Sequence, residues 1–79
     1  PSEQDVAFWM KNTLIPLDML FIAGDGRIVR IERQATPLSE IPIPSGAPVK
    51  AVLEVNGGLT DQLGVRQGDL INYPGLGGK

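Results

Sequence analysis

The chain has no cysteine and no histidine. The first absence excludes disulfides, thiolate nucleophiles and thiolate metal sites. The second removes the usual general base near neutral pH and the commonest zinc and copper ligand. A Ser-His-Asp or Cys-His arrangement cannot be assembled. Charge of one sign is also scarce: seven basic and nine acidic residues leave a formal net charge of −2. The basic residues form no run or stripe that would track a phosphate backbone, so nucleic acid is not an expected partner. No apolar run is long enough to span a bilayer. The chain starts at Pro1 without a methionine, so the lack of a targeting segment says nothing about destination. Cysteine usage places it in neither redox compartment. With 79 residues it makes one domain at most, and one with little stability in reserve.

What is present reads as short strands. Val6, Phe8 and Met10 alternate with Ala7, Trp9 and Lys11, predicting a strand over 6–11. Pro16 breaks the chain before a second strand at 17–23, with faces Leu17/Met19/Phe21 and Asp18/Leu20/Ile22. Gly24-Asp25-Gly26 is a hairpin signal, because Gly and Asp accept the positive φ of tight turns. A third strand follows at 27–33. Segment 35–48 carries Pro37, Pro42, Pro44 and Pro48, so it reads as an ordered loop or edge segment pinned by Ile41 and Ile43. A fourth strand is expected at 49–55 and a short helix at 59–63, closed by Gly64 in the left-handed position. A last strand is expected at 70–73, then a flexible tail at 74–79. The fold class is therefore mostly β: a small barrel-like or sandwich domain of about five strands with one short helix.

Candidate site residues are few. Lys11, Asn12 and Thr13 set a cation, an amide and a hydroxyl where a strand ends, a common place for binding groups; local turn bonding is the plainer reading. Trp9 offers a stacking platform or, more plainly, a core side chain. Asp18 and Glu54 each interrupt an apolar strand, so each must be paired or face water. Together they could serve as an acid/base pair, with their separation deciding the mechanism. Alternatively they face outward or pair with Lys11 or Lys50. Asn56-Gly57-Gly58 ahead of a helix could offer backbone N–H groups to an anion, but it lacks the spacing of a dinucleotide fingerprint. Asp69 reads as a turn cap. No cofactor is expected and no metal, the acidic residues lacking calcium-loop spacing.

The run Phe8-Trp9-Met10-Lys11-Asn12-Thr13, then Ile15-Pro16-Leu17-Asp18 and Phe21-Ile22, resembles a bacterial and archaeal family, domain-of-unknown-function family 192. Asp25-Gly26, the block from Val52 to Gly58, and Gly64-Val65 with Gly68-Asp69-Leu70-Ile71 are similar to its later blocks. The resemblance covers 8–73 and implies a compact β-barrel-like fold with no settled activity. It also implies an exported or periplasmic location, since some members carry export signals or lipoprotein anchors. By the same resemblance, family sequence upstream of Pro1 is missing. That predicts either a homodimer or an upstream fragment that stays bound.

Three functions remain open. The first is a non-catalytic envelope module that recognises a small polar or glycan-like ligand, or a protein, near Trp9, Lys11, Asn12, Thr13, Asp18 and Glu54. The second is a hydrolase using Asp18 and Glu54, which requires them to share a cleft. The third is a structural interaction domain, which predicts an exposed apolar patch instead.

Overall fold

The structure is a computed structural model, and it describes residues 3–71. The central strand is β2 (Leu17–Ile22), and apolar side chains on both its faces explain why it lies in the middle. It pairs antiparallel with β3 (Ile28–Ala35) on one side and β5 (Ala51–Asn56) on the other, in the order β3-β2-β5. A second, two-stranded ribbon joins β1 (Ala7–Phe8) to β4 (Ile43–Pro44). One short helix, α1 (Leu59–Leu63), follows β5.

The pleat of β2 sorts the core into two layers. Met19 and Phe21 pack with Met10, Ala35 and Val49 on the ribbon side, with Ile43 and Val6 against them. Leu20 and Ile22 pack with Ile28 on the helix side, flanked by Leu53, Val55 and Val65. Phe8 meets Phe21 edge to face, with ring centroids 6.4 Å apart, and so ties the ribbon to the sheet. The domain is thus ribbon on sheet on helix. Both sheets are open, so the strands do not close into a barrel.

The β2–β3 hairpin turns at Gly24–Gly26. Gly26 has φ 89°, and a Cβ there would stand 2.8 Å from the carbonyl oxygen of Ile71. Asp25 supports the turn by accepting from the Arg27 N–H at 2.9 Å.

Some expected elements differ. The strand expected at 6–11 is paired only at Ala7–Phe8, because the chain then folds into a turn closed by the Thr13 N–H on the Met10 carbonyl at 3.0 Å. Ile43 pins the proline-rich segment to the core, but Ile41 does not: it is 74% exposed. The last strand shrinks to a bridge between Leu70 and Arg27, with Tyr73 and the 74–79 tail outside the described residues.

Candidate functional site

Two loops meet at the end of the sheet where β2 begins. Loop 9–16 and loop 36–42 are bound together by the Met10 N–H on the Ser39 carbonyl at 3.1 Å and the Leu38 N–H on the Thr13 carbonyl at 3.0 Å. The first loop is anchored inward by Met10, fully buried against Met19 and Phe21. With that anchor in the core, its neighbours on either side face water. Trp9 is 51% exposed and Lys11 is exposed beside it, its Nζ 5.3 Å from the indole centroid. That distance is a cation–π contact, which holds an otherwise flexible lysine over the ring.

The rest of this end is unusually apolar for a surface. Leu14, Ile15, Leu38 and Ile41 are all more exposed than Trp9. Leu38 adopts φ 62°. A branched side chain in the left-handed region costs about 1–2 kcal/mol, and such strain persists where surrounding structure enforces it. Here the bond to Thr13 enforces it, and the outcome is a leucine held outward. Lys11 and Asn12 occupy the middle of the Met10–Thr13 turn. That turn is closed by backbone groups, and among the described residues the side chains of Lys11, Asn12 and Thr13 make no hydrogen bond within the chain.

Asp18 lies elsewhere in the chemistry. Its side chain is fully buried on the helix side of β2. Oδ1 accepts from the N–H groups of Gln34 (2.8 Å) and Gly58 (3.1 Å). Oδ2 accepts from the Thr60 N–H (3.0 Å) and the Thr60 hydroxyl (2.6 Å). Gly58, at the N-cap of α1, has no side chain to satisfy the free amides of the first turn, so a carboxylate from the sheet does so. Burial opposes the charge, yet the bonds from the Thr60 hydroxyl and the three N–H groups outweigh it. They lower the carboxyl from 3.8 to about 2. The Asn56-Gly57-Gly58 amides do bind an anion, and it is this one.

Glu54 is exposed and sits opposite Met19 in the β2–β5 ladder, on the ribbon side. Asp18 is opposite Val55, on the helix side. The two carboxylates therefore project from opposite faces of the sheet, and they share no cleft. A carboxyl-pair hydrolase built on them is ruled out by this pleat and by the four bonds that saturate Asp18. Nor does Asp18 pair with Lys11 or Lys50, as an ion-pair reading requires. Of the six sequence candidates, the structure brings Trp9, Lys11, Asn12 and Thr13 together and leaves Asp18 and Glu54 apart from them. It adds Leu14, Ile15, Leu38 and Ile41. The sequence signal for these was apolar residues between Thr13 and Pro16 and on either side of Glu40.

Asp69 caps its turn as expected, accepting from the Arg66 N–H at 2.9 Å. Among the described residues, no three acidic side chains gather into a metal-holding group, and no helix is long and apolar enough to cross a membrane.

A small layered β domain with an anchored, apolar loop end is the class these features define. The chain belongs to domain-of-unknown-function family 192 (DUF192), described as an uncharacterized ACR, which it matches over residues 1–73. It is similar to a solved structure from Sinorhizobium meliloti 1021, named "putative transcription regulator", at 53% identity and TM-score 0.84, covering 86% of this chain and 53% of that one. It is also similar to a protein of unknown function from Novosphingobium aromaticivorans DSM 12444, at 44% identity and TM-score 0.86, covering 90% of this chain and 51% of that one. The chain spans about half the length of both solved structures. Comparison with curated proteins gives no match.

Proposed function

We propose that the domain is a binding module that engages another protein through the end built by loops 9–16 and 36–42. The observation that carries this is the grouping on two mutually bonded loops of Trp9, Leu14, Ile15, Leu38 and Ile41, each at least half exposed. Clustered exposed apolar residues mark interaction sites, whereas scattered ones mean nothing. An aromatic with a cation beside it is the kind of anchor that dominates protein interfaces. Lys11 and Asn12 at the turn tip supply the polar rim.

A glycan is the second reading, because Trp9 with Lys11 and Asn12 would suit a sugar face and its hydroxyls. The four aliphatic side chains around them favour a protein, since they offer hydroxyl groups no partners. The regulator name belongs to the S. meliloti protein. In this chain Arg27, Arg30 and Arg33 are each paired with a carboxylate, which leaves no basic stripe for a nucleic acid.

Trp9 is the sole tryptophan, so its emission reports on this end alone. Retention of a protein from cell extract on the immobilised domain is expected to be abolished by Trp9→Ala and by Ile15→Glu, and kept by Arg66→Glu. Cell-wall glycan fragments are expected to leave Trp9 emission unchanged; a saturable shift with them would favour the glycan reading.

A further inference from the structure

β5 is the terminal strand of its sheet and pairs with β2 along its inner edge. Successive amides of a strand point to opposite sides, which locates its outer edge. The Lys50 N–H donates to the Ile22 carbonyl on β2 at 2.8 Å, whereas the Val49 N–H and carbonyl both pair with Gln4 at 2.9 Å. Gln4 therefore covers the outer edge at Val49. From Ala51 to Asn56, nothing among the described residues pairs with that edge. Such an edge is a template for another strand. The devices that usually blunt one are missing: β5 has no proline, and its register with β2 runs without a bulge.

The side chains of this stretch select the partner. Lys50 precedes the strand and Glu54 lies near its end; both are exposed, and neither joins an ion pair among the described residues. A second copy running antiparallel brings unlike charges together at both ends of the contact, while a parallel copy would set like against like. The register follows from the half-buried apolar row Ala51, Leu53 and Val55. Pairing centred on Leu53 sets Leu53 against Leu53 of the second copy and Ala51 against its Val55. Lys50 then lies diagonal to Glu54 of the second copy, at the roughly 7–8 Å that long side chains bridge. We propose that the outer edge of β5 is the surface through which two copies of this chain associate, joining their sheets across a two-fold axis at Leu53.

Sedimentation equilibrium of the 79-residue chain across a wide concentration range tests this, with circular dichroism to show that each variant is folded. A reversible dimer is expected. Glu54→Lys alone and Lys50→Glu alone should each raise the dimer dissociation constant about tenfold or more, since both contacts become like-charged. The double variant K50E/E54K should return to the parent value. Mixing the two single variants should give a heterodimer tighter than either homodimer. A chain that stays monomeric throughout, or a dimer indifferent to the reversals, would overturn the proposal; a second protein species held on this edge in place of the copy would do so too.

Discussion

Asp18 and Thr60, 42 residues apart, are joined twice: the Thr60 hydroxyl reaches Oδ2 at 2.6 Å and the Thr60 N–H reaches it at 3.0 Å. This pair fastens α1 to the middle of the sheet. Replacing Asp18 by Asn keeps the shape but turns an acceptor into a donor facing donors. The expected loss is about 2–4 kcal/mol, read as a lower denaturation midpoint in urea. Thr60→Val removes one bond and should cost about 1–2 kcal/mol.

The same carboxylate gives a pH dependence with a definite sign. Its folded pKa lies below its ordinary value, at about 2 against 3.8. The stabilisation is therefore complete above about pH 4 and is lost as pH falls from there through the folded value. The shift corresponds to about 2 kcal/mol. Urea melts of the parent from pH 6 to pH 2 should show that slope, and Asp18→Asn should flatten it.

Why this hub escaped a reading of the sequence is physical. The strand 17–23, the hairpin, the helix 59–63 and its glycine stop are all local signals, and each lies where the pattern sets it. The bond network of Asp18 is not local, since its partners come from β3 and from the turn before α1. One hint was available: α1 begins after Asn56-Gly57-Gly58 with no Ser, Thr or Asp at the cap, so the cap had to come from elsewhere. Trp9 was misjudged for a related reason. Alternation gives the two faces of a strand, but only tertiary packing shows that Met10 takes the inward place and that the chain turns straight after it. Lys11 beside Trp9 was legible, being two positions along.

Gly26 is fixed by φ 89° and by the carbonyl of Ile71 behind it. Gly26→Val should destabilise the fold by roughly 1–3 kcal/mol. Trp9 emission at the other end of β2 should remain that of the parent wherever the variant is folded.

Leu38 is the converse case, strained and exposed at once. Leu38→Asn places a residue that tolerates positive φ where burial contributes little. Stability is expected to rise by about 0.5 kcal/mol, seen as a higher melting temperature, while partner retention falls. A variant that gains stability and keeps full binding would remove Leu38 from the site.

The central claim is that the Trp9 end meets another protein, and site-specific photo-crosslinking in the producing cells tests it most directly. A photoreactive phenylalanine is placed at Ile15, at Leu38 and, as a control at the other end of the domain, at Arg66. Discrete adducts with one common protein are predicted from Ile15 and Leu38, and none from Arg66. No adduct from either loop, or the same adducts from Arg66, would contradict the account.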